Sequence, residues 1–559
     1  MPLQSITHGV LRVGSNLPFS DTKGPNLPQQ YGSVQCRHLQ AGDRSEVNTF
    51  VGTFYPGNLS RVDEDSVHHL ITEAQELRGL QGGRDDRPSL CFTPVTRDGS
   101  QTLPLTLIGD GLAVPCLDGD ERPYLNLDNA ASTNAMPAVA RSVEEFLPWY
   151  SSVHRGAGYK SQRATDAYER ARAGALAFAG RADDDRDVAI ICRNTTEAIN
   201  HLAYRLRLAP DDVVVTTVVE HHANLLPWAR LCERRFVETG PDGTFTADDV
   251  ARVLDEGSRP RLLAVTGASN VTGWLPPLEP IIDLAHERGV PVLVDAAQLA
   301  PHRRLPAEAD FVAWSGHKMY APFGAGVLVG PRATFAEGDP FLAGGGAVDL
   351  VDLDEVIWAD PPEREEAGSP NVVGAVALDA SSSELTRIGW EVITAHDDRL
   401  TRRLYSGLAA LPGVRVLGPQ EGVVRLPLVA FVVDGMHHAL VAARLSAEFA
   451  IGVRHGCFCA HPYLMRLIGL SPAQVAAYRR AVHRHDRRDS PGAVRASAGL
   501  STTVEDVDRL VAAVAALATG RPAPVTYRQD VHTGDFWPDT DAPGWTAQDR
   551  AGGGPCARG

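Results

Sequence analysis

The chain has 559 residues, 43% of them hydrophobic and 22% charged, which is enough apolar content for several packed domains and too much for a broadly disordered chain. Its 69 acidic residues outnumber 53 basic ones, and the net charge of −16 argues against nucleic acid or an anionic membrane as the main partner. With no apolar run of about 18 residues, no basic-then-apolar leader in MPLQSITHGV and only eight cysteines, the sequence reads as a cytoplasmic protein without membrane spans or a disulfide scaffold.

Residues 1–107 stand apart as an extension of unassigned role. Asp63–Leu80 has helical spacing, with Val67, Leu70, Ile71, Ala74 and Leu77 on one face. Leu90–Val95 and Thr102–Ile108 are strand-like and flank TRDGS, which predicts a hairpin. Further on, short β-rich runs at Val188–Cys192, Val213–Val219, Leu262–Thr266, Val292–Val294 and Phe311–Trp314 alternate with amphipathic stretches such as Thr165–Ala179 and Leu278–Arg288. The alternation predicts an α/β fold, with a mainly parallel sheet covered on both faces and a ligand at the carboxyl ends of its strands. After Trp390 the pattern becomes a smaller α+β domain. It has a helix over Glu391–Leu411, strands at Val414–Leu417 and Leu428–Val433, a helix at His438–Phe449 and a strand at Ile451–Val453.

Four segments follow predicted strands and carry chemistry. RNTTEAIN puts Thr195 and Thr196 at a helix N-terminus, where hydroxyls and free N–H groups hold an anion, although an ordinary N-cap uses the same residues. VVEHHANLLPW puts His221 and His222 at a strand end. No ligand set of metal-site spacing accompanies them, so no metal is expected, and an imidazole face can stack on a ring ligand. VLVDAAQLAPH closes an apolar strand with Asp295, whose ionised carboxylate calls for a cation such as a pyridinium nitrogen; Gln298 follows within reach of a neighbouring ring oxygen. A helix cap is the plainer reading of that aspartate. AWSGHKMYAPFGAGVL sets Lys318 in a Gly-rich turn beside Ser315 and His317, where desolvation favours the neutral amine that a Schiff base needs. Of the 53 basic residues only three are lysines (Lys23, Lys160 and Lys318), leaving 50 arginines that cannot do this chemistry. A phosphate, a flat ring, a pyridinium nitrogen and an aldehyde together describe pyridoxal phosphate, for which a protein supplies orientation and tuning.

These segments occur in one order with YLNLDNAAST, VHRGAGYKSQRATDAYERAR, SNVTG, EAGSPN, VRHGCFCAHP and VRASAGLSTTVEDVDRLV. Over Gly109–Gly520 the chain resembles the class V aminotransferase family of fold-type I pyridoxal-phosphate enzymes, and within it the cysteine desulfurase and selenocysteine lyase branch. The resemblance implies a large cofactor-binding domain over 141–390 and a small α+β domain assembled from 108–140 and 391–521, while the Pro, Gly and Asp content of 522–559 reads as an extended tail. It implies that Lys318 holds the cofactor and shuttles the substrate's α-proton, that Asp295 pairs with the pyridinium nitrogen, and that Gln298 bonds the ring hydroxyl. His221 would stack on the ring and move protons. Thr196, Ser315 and His317 would bind the phosphate, with Thr195 beside them. Ser369, standing where the family usually has Thr, would serve a second subunit, which implies a homodimer. Asn270 would touch the cofactor and, with Arg454 and Arg495, orient the substrate, Arg495 by gripping its α-carboxylate.

In the same register Cys459 is the cysteine that would take the sulfur of L-cysteine, leaving L-alanine and a persulfide for a sulfur-acceptor protein. Its neighbours Arg454 and His455 would favour the thiolate. Cys457 lies two residues earlier, and as structure alone both cysteines are small apolar fillers. Cys459 and Arg495 are 36 residues apart, a longer stretch than that branch leads one to expect, with a helix-like segment at Pro472–Val482 followed by HRHDRRDS. Such an insertion could reshape the substrate mouth. The alternatives are a C–S lyase, epimerase or aminotransferase of the same family acting on a specialised amino acid, and, from a different class, a non-catalytic regulator that keeps a cofactor pocket.

Overall fold

The computed structural model describes residues 103–546 except 155, 183 and 184, and outside that span only the antiparallel pairing of Val34–Gln35 with Thr49–Phe50. By contacts the chain divides into two units, Met1–Thr96 and Arg97–Gly559. The helix expected at Asp63–Leu80 and the strand at Leu90–Val95 lie outside the described residues. The other expected arm of that hairpin, Thr102–Ile108, is bend and turn over its described residues rather than strand. Pro104 has no N–H to give to a ladder, and Leu105 donates instead to the carbonyl of Leu500 at 2.7 Å while Leu107 is buried.

Seven strands make the main sheet: β1 (Asp187–Cys192), β2 (Val213–Thr217), β3 (Glu233–Val237), β4 (Leu262–Thr266), β5 (Val292–Asp295), β6 (Phe311–Ser315) and β7 (Gly326–Pro331). Their spatial order is β1-β7-β6-β5-β4-β2-β3, and only β7 runs against its neighbours. Strands β2, β4, β5 and β6 are buried at every residue, which is why they read as unbroken apolar runs. Alternate side chains enter different cores. Val214, Leu262, Leu293 and Phe311 pack with Ile199 and Leu202 of helix α2 (Thr195–Arg205), while Val215, Leu263, Val294 and Val312 share a core with Ile281 and Ile282 of α3 (Leu278–Glu287). The sequence pattern does not announce β3, whose ERRFV is charged and lies at the sheet edge, nor β7, which begins in a glycine-rich run.

A second sheet has the order β8-β9-β11-β10, built from β8 (Val414–Val416), β9 (Leu428–Val433), β10 (Arg454–Gly456) and β11 (Ala493–Ser497), all antiparallel. It packs a core of its own with α5 (Trp390–Ala409), α6 (His438–Phe449) and α8 (Val504–Ala518). Leu125–Asn126 pairs in parallel with Ile451–Gly452 just before β10. Between β10 and β11 the insertion folds as α7 (Pro472–His483), opened by a reciprocal cap between Ser471 and Gln474 and carrying no buried residue. Past α8, Tyr527–Gln529 pairs with Phe536–Pro538, and the Arg487 N–H donates to Val531 O at 2.9 Å, which ties the insertion to this last segment. Two long helices, α1 (Tyr159–Phe178) and α4 (Val372–Ile388), pack against each other beside the main sheet. Among the described residues no helix is long and apolar enough to cross a membrane.

Candidate active site

The carboxyl ends of β1, β2, β4, β5 and β6 meet the small sheet around a cavity of about 1170 Å³. At the end of β1, Asn194 caps α2 by accepting the Glu197 N–H at 3.0 Å. Next to it the Thr195 N–H donates to Ser315 Oγ at 2.8 Å, and the two hydroxyls lie 2.6 Å apart. Thr196 is exposed to the cavity beside them. A helix N-terminus and the end of β6 thus form one anion cradle. His317 lines it, and burial pushes its imidazole down to about 4, so it is neutral at physiological pH.

Asp295 is buried at the end of β5, where its Oδ1 accepts the Ala297 N–H at 3.0 Å. Burial pushes its carboxyl above the ordinary range, with Lys318 opposing, and among the described residues no cationic side chain lies within ion-pair distance of it. Gln298, also buried, lines the cavity and donates from Nε2 to Ala130 O at 2.8 Å. His221 accepts the Ala223 N–H through Nδ1 at 3.1 Å, which puts the proton of its neutral ring on Nε2. Burial, with Lys318 adding, pushes its pKa down to about 3. Sequence reasoning passed over Glu220, which holds this loop in place. Its carboxyl accepts from the Thr217 hydroxyl at 2.7 Å, the Asn224 amide at 2.8 Å and the Thr266 N–H at 2.9 Å, and burial pushes it up to about 8.

Lys318 is half-buried in the cavity wall. Burial pushes its amine down to about 8, with Arg495 adding to the shift and Asp295 opposing it. Arg495, buried on β11, donates from Nη1 to Asn270 O at 2.8 Å and from Nη2 to Asp128 Oδ1 at 3.0 Å. Its Nε has no partner, so an incoming carboxylate finds an unmet donor. Arg454 is exposed, 3.9 Å from the other oxygen of Asp128, a carboxylate the sequence reading did not single out.

The turn Cys457–Ala460 closes the site. Phe458 and Cys459 both have φ 54°, and Ala460 donates to Cys457 O at 2.9 Å. It is tied down on three sides. The Asn270 amide donates to Phe458 O at 2.5 Å, the His222 N–H donates to Cys459 O at 2.8 Å, and the Arg495 guanidinium sits 5.1 Å over the Phe458 ring. The His222 and His461 rings stack at 5.1 Å behind it. Cys457 is half-buried and Cys459 exposed. The cations interacting with Cys459 are Lys318 and Arg495. Of the two neighbours expected to favour the thiolate, Arg454 lies 3.9 Å from Asp128, and His455 lies 3.3 Å from Asp535 and stacks on His438. Both side chains leave an alternating strand on courses set by partners far away in sequence. Ser369 is exposed and does not line this cavity. Tyr478, Arg479 and His483 of α7 in the insertion line the cavity, and Thr533–Asp535 from the last segment lines it too.

These groups fit pyridoxal phosphate: a buried carboxylate lacking a cation, a helix N-terminus free for phosphate, and one amine that becomes neutral near pH 8. An α/β sheet with this set at its strand ends defines a fold-type I pyridoxal-phosphate enzyme. The chain belongs to the aminotransferase class-V family, whose model matches residues 125–510, and it is a pyridoxal-phosphate-dependent enzyme. It is 37% identical over 406 residues to the cysteine desulfurase of Dickeya dadantii, a match covering 70% of this chain and 91% of that protein. It is 34% identical over 408 residues to a probable cysteine desulfurase of Halobacterium salinarum, covering 71% and 91%. Among solved structures, the apo cysteine desulfurase from Thermococcus onnurineus superposes with a TM-score of 0.63 at 32% identity, covering 71% of this chain and 95% of that one. The cysteine desulfurase CsdA from Escherichia coli gives 0.60 at 32% identity, covering 71% and 94%.

Proposed function

We propose that this enzyme is a cysteine desulfurase that converts L-cysteine to L-alanine and keeps the sulfur as a persulfide on Cys459. The observation that carries the reading is the pinned turn that holds Cys459 in the same cavity as Lys318 and Arg495. Pyridoxal phosphate, when bound, supplies an electron sink for bonds around the substrate's α-carbon. Lys318 is the amine that holds it, and a pKa lowered to about 8 lets the same group take and return the α-proton near neutral pH. Thr196, Ser315 and His317 hold the phosphate at the α2 N-terminus, with Thr195 fixing the Ser315 hydroxyl. Asp295 would meet the ring nitrogen, Gln298 the ring hydroxyl and His221 the ring face, its neutral imidazole carrying the proton on Nε2.

Arg495 takes the substrate carboxylate, steadied by Asp128 and by Asn270, with Arg454 at the rim. Cys459 then attacks the substrate sulfur in the cavity it shares with Lys318 and Arg495. Ser369, exposed on its own protomer, supports a homodimer in which it serves the partner's phosphate site. The persulfide would supply a sulfur-acceptor protein, and the location would be cytoplasmic.

The test is the product of cofactor-loaded protein mixed with L-cysteine, resolved by mass spectrometry. L-Alanine that disappears in Cys459→Ala supports the reading. Pyruvate with ammonia, or alanine formed equally well without Cys459, overturns it in favour of C–S lyase chemistry.

A further inference from the structure

We propose that Cys457 is a resolving thiol: it attacks the Cys459 persulfide, closes a Cys457–Cys459 disulfide and releases sulfide into the cavity. The inference rests on the desulfurase reading and replaces direct transfer to a sulfur-acceptor protein with release of the sulfur as sulfide.

The geometry begins with the turn. Two consecutive left-handed residues, Phe458 and Cys459, lie between a carbonyl and an amide that bond at 2.9 Å, so the chain reverses between Cys457 and Ala460. Neither phenylalanine nor cysteine adopts that backbone readily, and the contacts from Asn270, His222 and Arg495 keep them there. A disulfide needs Cα atoms roughly 4.4–6.8 Å apart, a separation that a reverse turn brings within reach of residues two apart. Both residues line the cavity that holds Lys318.

Access also favours an internal partner. Cys457 and Cys459 line one cavity, together with α7 and Thr533–Asp535, so a thiol of the same chain is already present where the persulfide forms. The plainer reading, a filler cysteine, fits a sealed residue, but Cys457 keeps access to the cavity. Burial pushes its thiol up, so Cys457 holds its proton while Cys459, the exposed cysteine, meets the substrate.

The step balances. The Cys457 sulfur bonds to Cys459 Sγ, the bond from Cys459 Sγ to the outer sulfur breaks, and the Cys457 proton leaves with that sulfur as hydrosulfide. The two thiols lose two electrons and the outer sulfur gains them. A dithiol reductant then reopens the disulfide, so each turnover consumes L-cysteine and a dithiol and yields L-alanine, sulfide and an oxidised dithiol.

The experiment is a single turnover of the holoenzyme with one equivalent of L-cysteine, anaerobically and without reductant. Alanine and trapped sulfide are quantified, and the peptide carrying Cys457 and Cys459 is weighed after alkylation. The expected result is sulfide equal to alanine and a loop peptide lighter by two hydrogens that resists alkylation. In Cys457→Ser, and in Cys457→Ala as a check on folding, the peptide carries one extra sulfur and sulfide appears only when a thiol is added. A wild-type peptide that retains the extra sulfur, with Cys457 alkylated, overturns the resolving role and leaves the desulfurase reading standing. Absence of alanine overturns both.

Discussion

The side-chain amide of Asn270 donates to the backbone carbonyl of Phe458 at 2.5 Å, joining the loop after β4 to the turn that presents Cys459. Without it a buried carbonyl is left unpaired, which costs about 1–3 kcal/mol, and a strained turn loses one of its three restraints. In Asn270→Ala, alanine formation from L-cysteine should fall by about tenfold or more. Alkylation of Cys459 by iodoacetamide should change in rate while the cofactor absorbance persists. Unaltered alkylation and turnover would show that the turn holds itself.

Lys318 gives a pH dependence whose sign is fixed. A lysine in the unfolded chain titrates near 10.4, whereas burial brings the folded one down to about 8. Between those values the unfolded chain binds more protons, so apo-protein stability rises with pH there, and Lys318→Met removes that slope. The neutral amine is also the form that captures the cofactor's aldehyde. Stopped-flow absorbance of apo-protein with pyridoxal phosphate should show a rate that climbs to about pH 8 and then levels. A rate indifferent to pH through that point would contradict the assignment.

For Asp295 the sign is opposite. Its carboxyl titrates higher in the fold than in the unfolded chain, so its contribution is full below the ordinary range, about 3.9, and is lost as pH rises through the raised value. Asp295→Asn keeps the shape and removes the buried charge. Its apo-protein should therefore melt a few degrees higher at neutral pH, while cofactor affinity falls by about tenfold to a hundredfold, the worth of one charge-assisted hydrogen bond. Thermal melts with and without cofactor, together with equilibrium dialysis, measure both.

Arg172 of α1 is the hub of an ion-pair cluster that anchors the segment leading to Ser369, and in it the Arg172 and Glu366 side chains are buried while Glu169 and Glu363 reach solvent. It pairs with Glu169 and Glu363 through Nη1 and with Glu366 through Nη2 at 2.6 Å, and Glu366 also accepts from the Tyr168 hydroxyl and the Ile191 N–H. Removing the cation strands the Glu366 carboxylate, so Arg172→Ala should cost about 3–5 kcal/mol in urea unfolding. A loss below about 1 kcal/mol, the range of exposed pairs, would mean that water reaches the cluster.

Helix α7 carries no buried residue, so changing its exposed face should shift stability by no more than about 0.5 kcal/mol. It nevertheless walls the cavity through Tyr478 and Arg479. The double change Tyr478→Ala, Arg479→Ala should speed alkylation of Cys459 by a bulky maleimide several-fold more than alkylation by iodoacetamide. Equal acceleration of both reagents would argue that α7 does not screen the mouth.

Local pattern marks much of the fold. Leu262–Thr266 and Leu428–Val433 are strands and His438–Phe449 a helix over the ranges their periodicity marks, because strand and helix periods are written in neighbouring residues. Strands β3 and β7 carry no such mark because edge position and glycine content dilute the apolar signal.

Lys318, Asp295 and His221 are legible for a related reason: each directly follows or ends an apolar run, and adjacent parallel strands bring such ends together wherever the sheet forms. What lies across the cavity has no local signature. Asp128 meets Arg495 over a separation of 367 residues, His455 lies 3.3 Å from Asp535, and α7 with Thr533–Asp535 lines the cavity. Closing such distances is settled by how whole layers pack, and a window of neighbouring residues holds no record of it.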